Sequence, residues 1–436
     1  MHNITIYSDL RYQMAELNKG PPTFTEVLRN KHFVRLLAGQ FFSNIGDAVL
    51  RVALLLYVYS FTGSLSTTTL ILSVQIIPWI IIGPIAGVFA DRISRKGIMV
   101  SADITRAIAI VFIPMTQDIL TIVGLSFVIG IASASFTAPR SAAIPEITGM
   151  RLFVKGISIS QLIFQSISLI GPLVGAFVFA EFGAVTFLIS SAGFALSAII
   201  ISLTKIPNAT RLDTELSISI VISDLKEGFS FLAENEVTRN VLLLFSFVIL
   251  ASAYASPLIY PYIYDILHNS NQSMEGLAQR EYGIIGSITA GGSIVGNLIF
   301  GKFEKKIGRK QAIFIGTIAM GIFFVLFAGY PSLQLLGILS FIFGFFNGMS
   351  SLAVNAIFAE AVPNKIRGRA YSATNAFLQT FTALFTALSG VTADLLGIVQ
   401  TMTVAGVILI VFTLIYSKKT KFKFLEIEPL DIMNSV

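Results

Sequence analysis

No cysteine occurs in the 436 residues, which excludes a disulfide, a thiolate-bound metal and a cysteine nucleophile. Histidine is nearly absent as well. His2, His32 and His268 stand far apart and outside the apolar runs, so a zinc or di-iron centre has no ligand cluster to draw on. Charge is scarce: 12% of residues are Asp, Glu, Lys or Arg, against ~25% in an average soluble domain. No G-x-x-x-x-G-K-S/T loop is present, so direct drive by nucleotide hydrolysis has no site. No nucleophile–base constellation marks a membrane enzyme, and no cofactor is implied. What fills the chain is apolar: 54% hydrophobic residues and a mean hydropathy of +0.80, the composition of a polytopic membrane protein.

Hydropathy places twelve spans near 33–61, 67–90, 98–117, 119–139, 153–181, 184–204, 240–265, 282–301, 311–330, 333–361, 371–393 and 396–417. Each is long enough for a hydrocarbon layer about 30 Å thick. Of the thirty Lys and Arg residues, all but Arg51, Arg106 and Arg280 fall in alternate connections on one side. That bias predicts a multi-pass cell-membrane protein with both termini in the cytoplasm. It also removes nucleic acid as a partner, although the net charge is +6, because the basic residues lie in juxtamembrane turns rather than on one soluble face.

The expected organisation is a cytoplasmic tail (1–32), a six-helix bundle (33–204), a cytoplasmic linker (205–239), a second six-helix bundle (240–417) and a C-terminal tail (418–436). The first 32 residues lack the layout of a secretory signal. In the linker, Val221, Leu225, Phe229 and Leu232 share one helical face, which predicts an amphipathic helix on the cytoplasmic surface.

One stretch organises the rest. An apolar run containing Gly83 and Gly87 stops at Asp91, and Arg92, Arg95 and Lys96 follow before the next run. Charges this dense mark a short turn at a membrane face. The two glycines, four residues apart, predict close approach of a neighbouring helix. The stretch resembles the signature loop between the second and third helices of the major facilitator superfamily, G-x-x-x-D-R/K-x-G-R-K/R, with Ser94 for the usual glycine. A second, degenerate copy (Gly301, Lys305, Lys306, Gly308, Arg309, Lys310) lies 214 positions on, with Lys305 in place of the aspartate. The resemblance implies an all-α integral membrane fold of twelve transmembrane helices. They form two six-helix bundles related by a pseudo-two-fold axis, with substrate near the midplane between them.

Polar residues inside the spans are the functional candidates, because placing them there costs energy. In the first span Gln40, Asn44, Asp47 and Arg51 form one helical stripe. Asp47 either pairs with Arg51 one turn on or is a protonation or cation site tuned by it. Asp103 and Arg106, in the third span, are expected to pair with each other or with loop charges, latching the cytoplasmic side together with Glu146. Further cavity candidates are Gln161 and Gln165 in the fifth span, Asn347 and Asn355 in the tenth, and Asn375 and Gln379 in the eleventh. Gly171, Pro172 and Gly175 look like the antiporter motif of drug-exporting major facilitators; an ordinary proline kink reads the same way. Arg140 lies at the cytoplasmic end of the fourth span, so the mid-membrane arginine of the superfamily is expected to be missing. The tyrosines near the end of the seventh span read as an interface belt or as the outer mouth of a cavity.

The chain as a whole is similar to the macrolide-efflux and siderophore-exporter branch. The residues that carry this are Ser43–Asp47, Asp103–Arg106, Ala138–Arg140 with Pro145 and Glu146, and Val362–Arg369. The resemblance implies alternating access, proton antiport and export of a small amphipathic molecule, with protons and the lipid bilayer as the other partners and a monomer as the unit. Asp91 is then expected to dock near the positive N-terminal end of the eleventh span. Import or lipid translocation by the same fold is the alternative, and a polytopic enzyme a more distant one.

Overall fold

The computed structural model describes residues 22–90, 94–149, 151–207, 218–268, 275–329, 332–363 and 366–419. Among them every regular element is helical. A single turn, α1 (Phe24–Leu28), precedes α2 (Lys31–Thr62), α3 (Leu65–Ala90), α4 (Arg95–Phe112), α5 (Ile119–Thr148), α6 (Phe153–Phe182) and α7 (Thr186–Ser202). A connecting helix, α8 (Ile218–Glu234), leads to α9 (Glu236–Ala255), α10 (Ile259–His268), α11 (Glu275–Ile307), α12 (Arg309–Gly329), α13 (Leu333–Ala361), α14 (Arg367–Leu396) and α15 (Ile398–Lys419). Among the described residues eleven stretches are long and apolar enough to cross a bilayer. One of them, Phe153–Ser202, holds both α6 and α7, parted by a 3-10 turn at Gly183–Val185.

Local chemistry sets the helix ends. Asn30 caps α2 by accepting from the N–H groups of His32 and Phe33, and Gly63 stops it at φ 60°, a conformation that costs glycine little. Ser94 caps α4, its hydroxyl accepting from the Gly97 N–H at 3.2 Å. The serine that replaces the motif glycine therefore starts the helix. One boundary differs from expectation. α5 continues through Pro139 and Pro145 to Thr148, so Arg140 and Glu146 are helical residues. Arg95 holds this extension by pairing with Glu146 and donating to the Ala142 carbonyl. The seventh span, which its two prolines mark as bent or broken, is interrupted as expected: a 3-10 turn at Ser256–Leu258 separates α9 from α10, because Pro257 has no N–H to continue the ladder.

The two halves repeat one plan. Gly130 of α5 packs against the Gln75 carbonyl of α3, and Gly344 of α13 packs in the same way on Thr289 of α11. Arg95 pairs with Glu146, and Arg309 with Glu360. The residues of each set lie 214 positions from their counterparts, the spacing of the two signature stretches.

The halves meet through α3 against α14 and α6 against α11. We call the end carrying Arg95, Arg309 and Arg369 the basic end, and the opposite one the far end. At the far end Gly390 admits Thr69 and the Leu65 carbonyl, while a Cβ on Gly283 would stand 2.6 Å from that of Ala176. These contacts are again repeat mates, 214 positions apart. Asp394 accepts from the N–H groups of Leu65 (3.3 Å) and Ser66 (2.9 Å) and from the Ser66 hydroxyl (2.5 Å). Arg280, the repeat mate of Ser66, pairs with Glu181.

At the basic end α8 lies across α13 and α14. Leu232 packs with Phe358, Val362, Ala370 and Ala373, and Arg369 pairs with Asp224 at 2.8 Å and Glu227 at 2.6 Å. Phe229, placed on the apolar face by periodicity, is 38% exposed. Gly228 instead meets the Arg369 carbonyl, 2.5 Å from where a Cβ would stand, so the helix is turned to bring glycine, not phenylalanine, against its neighbour.

Candidate functional site

Arg106 is the largest fully buried side chain, and it ties four helices together. It pairs with Asp103 on its own helix α4. One terminal nitrogen donates to Asp47 Oδ2 of α2 at 3.2 Å and to Ser133 Oγ of α5 at 3.5 Å. The other donates to Ser43 Oγ at 3.1 Å. Phe136 of α5 and Phe194 of α7 present their rings at 4.9 and 4.3 Å from the guanidinium carbon, which suits a delocalised cation. Asp103, fully buried, also accepts from Ser43 (3.3 Å) and Ser197 (2.6 Å). A buried pair is tolerable only when its remaining valences are satisfied, and here Ser43, Ser133 and Ser197 supply most of the partners.

Asp103 and Arg106 thus pair with each other, one of the two arrangements expected, and the face they share on α4 turns inward toward α2 and α7. Two other readings are corrected. Glu146, expected to join them, pairs with Arg95 instead. Asp47 in turn takes Arg106 as its partner rather than Arg51. Its side chain remains 32% exposed, whereas Asp103 is fully buried. Arg51 is exposed and lies within electrostatic reach of Tyr282 in the opposite half.

Arg140 stands on α5 two turns from Ser133 and within electrostatic reach of Asp47; among the described residues its Nε is buried without a hydrogen-bond partner. Asn44 adds a second buried, unpartnered donor, its Nδ2. Gln40 does not belong to this wall. It is buried, donating to the Ser160 carbonyl (3.2 Å) and accepting from the Ser160 hydroxyl (2.8 Å), and so clamps α2 to α6.

The other cavity candidates fall into repeat pairs. Gln161 and Asn375, and likewise Gln165 and Gln379, stand 214 positions apart. Gln165 lies one turn from Leu169, whose carbonyl accepts from Ser287 across the interface. Gln379 lies two turns from Ala387, which accepts from Thr69. All four thus share the faces by which α6 and α14 address the opposite half; Gln379 is half-buried and the other three are exposed. Asn347 lines a cavity of about 380 Å³ in the second half, with Val248, Ile249, Ser252, Ser256, Ser351 and Thr382. Asn355 is exposed and donates to the Ser351 carbonyl at 2.8 Å.

Gly171 and Gly175 seat α6 on α2, where Cβ atoms would stand 2.6 Å from Ala48 and 3.0 Å from Val52. Pro172 between them faces Gly283 and Gly286 of α11, so this motif is a three-helix junction joining the halves. Gly83 has open space around it, contrary to the close helix approach expected there. Gly87 lies in α3, but its surroundings, like Asp91 and Arg92, lie outside the described residues. Arg95 and Lys96 open α4.

The tyrosines do not form a lipid-facing belt. Tyr260 and Tyr262 are 1% and 4% exposed. Tyr260 packs edge-on against Tyr59 of α2 and Tyr282 of α11, plugging the far end between the halves. Sequence reading also missed the tightest helix pair, Gly292 and Gly296 of α11 against Gly344 and Gly348 of α13, where each glycine lies on a carbonyl of the facing helix. Both G-x-x-x-G spacings were there to be read.

The sequence profile of the Major Facilitator Superfamily matches residues 36–270 and 241–423. The macrolide efflux protein A of Streptococcus pyogenes is 25% identical over 88% of this chain and 94% of its own length. The multidrug efflux pump Tap of Mycolicibacterium fortuitum is 21% identical, covering 84% and 89%. Among solved structures, the nucleoside transporter NupG superposes with a TM-score of 0.74 over 90% of this chain and all of its own, at 15% identity.

Proposed function

The chain belongs to the major facilitator superfamily, and from that membership we propose that it is a proton-coupled exporter of a small amphipathic molecule. It is a multi-pass membrane transporter of a small-molecule substrate. In our reading it works as a monomer in the cell membrane, with both termini cytoplasmic. The two bundles rock about the space between them, and the arrangement closed at the far end opens to the cytoplasm. Relatives named as efflux proteins favour the outward direction.

The observation that carries the coupling is Asp47, a partly exposed carboxylate in the middle of a span, held by a single buried arginine. Protonation removes one of that arginine's two ion pairs, leaving it on Asp103, and deprotonation restores the second. Occupancy of one site thus feeds into the packing of α2, α4, α5 and α7. Asp91 takes the role of the inner-door latch against the start of α14 in the opposite state.

Two measurements test this. In inverted vesicles an imposed pH gradient should drive uptake of a fluorescent amphipathic drug, and Asp47→Asn should abolish the gradient-driven part; undiminished drive would remove Asp47 from the role. Asp91→Asn should increase the accessibility of cavity positions to a cytoplasmic-side thiol reagent when cysteines are introduced there, and unchanged labelling would remove the latch.

A further inference from the structure

The repeat shows what the second half has in place of the ion network. At the position of Arg106 stands Met320, and at that of Asp103 stands Thr317, each 214 residues on. Thr317 bonds only its own helix, at the Ile313 carbonyl (2.6 Å). Ser133, which touches Arg106, has Asn347 as its mate, and the Asn347 amide meets the Met320 sulfur at 3.7 Å. Where one half buries ions, the other sets a neutral carboxamide on a cavity wall.

The surroundings of Asn347 are consistent in kind. The hydroxyls of Ser252 and Ser256, one turn apart, have no side-chain hydrogen bond among the described residues. The helix carrying them breaks at Ser256–Leu258. Ala253, whose carbonyl Pro257 leaves unpaired, accepts instead from Thr386 at 3.3 Å. Interrupted helices near the midplane are where transporters of this kind hold their cargo. Among the described residues the cavity lining contains no carboxylate, no cation and no aromatic ring. A lipophilic cation would lack both a counter-charge and a π-face there, and an anion would lack an arginine.

We propose that this cavity is a subsite for an uncharged, oxygen-bearing ring of the transported molecule, a polyhydroxylated or glycosyl-type group. Its 380 Å³ equal the liquid volume of about a dozen water molecules at ~30 Å³ each, room for a single ring. Asn347 supplies a donor and an acceptor, Ser252 and Ser256 supply hydroxyls, and Val248 and Ile249 pack the ring faces. Charge elsewhere on the cargo is met by the first half. The proposal rests on the transport reading only in taking the space between the halves as the route.

Calorimetric titration of the purified full-length protein in lipid nanodiscs tests it, with p-nitrophenyl glucoside, tetraphenylphosphonium and benzoate as uncharged, cationic and anionic probes. The glucoside should bind, and at least tenfold more weakly to Asn347→Leu and to Ser256→Val. Absence of glucoside binding, binding indifferent to both cavity variants, or loss of tetraphenylphosphonium binding in Asn347→Leu would overturn the assignment. Melting curves of each variant separate lost contacts from lost folding, with Asn347→Ser as a milder replacement. No gradient is present in this assay. Failed proton-driven export in vesicles would leave its result standing, and a failed titration would leave the export reading standing.

Discussion

The two halves share a backbone plan but hold their helices together by different physics. In the first, Arg106 satisfies Asp47 and Asp103 and is sandwiched by two phenylalanines. In the second, glycines on α11 and α13 bring carbonyls and backbones into contact, and the equivalent of Arg106 is a methionine. Ion networks respond to protonation and to solvent; interlocked glycines do not. One bundle thus buries an ion network in its core, and the other packs glycine against backbone beside a neutral cavity.

The contrast is tested most severely by giving the first half the residues of the second. Arg106→Met leaves Asp103 buried without a counter-charge, and removing one partner of a buried pair costs about 3–5 kcal/mol. The protein should express poorly and melt early. Arg106→Met with Asp103→Thr, the pair found at Met320 and Thr317, should recover much of that loss. A double variant no more stable than the single one would show that the network does more than balance charge.

The second half is challenged by bulk. Ala at Gly344 and Gly348 would press on the carbonyls of Thr289 and Ser293, and overpacking of this kind costs about 1–3 kcal/mol. The melting temperature should fall without any change in how it varies with pH.

The smallest effects belong to the far-end contacts. Asp394 acts as an N-cap for α3 supplied by the other half, and losing a cap costs about 0.5–2 kcal/mol. Glu181 and Arg280 are 53% and 43% exposed, and such pairs contribute about 0–1 kcal/mol. Spin labels across the far end should therefore report more separation in Asp394→Ala than in Glu181→Gln. Equal or reversed responses would show that the ion pair, not the cap, holds this end shut.

Much of this architecture was legible in the chain. The apolar runs gave the helices, and the 214-residue spacing of the signature stretches proved to relate inner contacts that had not been compared, such as Gly130 with Gly344. What periodicity could not supply was the neighbour. The stripe through Gln40, Asn44, Asp47 and Arg51 lies on one face of α2, yet Gln40 meets Ser160 of α6, Asp47 meets Arg106 of α4, and Arg51 turns toward Tyr282 of the opposite half. A helix face is a local property, but its partners are set by packing.

The far end is fastened twice, once where Asp394 meets α3 and once where Arg280 meets Glu181, on opposite flanks of the pseudo-axis. Two stiff bodies bolted at both flanks cannot part at one while the other stays fixed. Both fastenings must give way in a single event, so release should be abrupt rather than graded. Weakening either bolt should then speed the whole opening rather than create a half-open door.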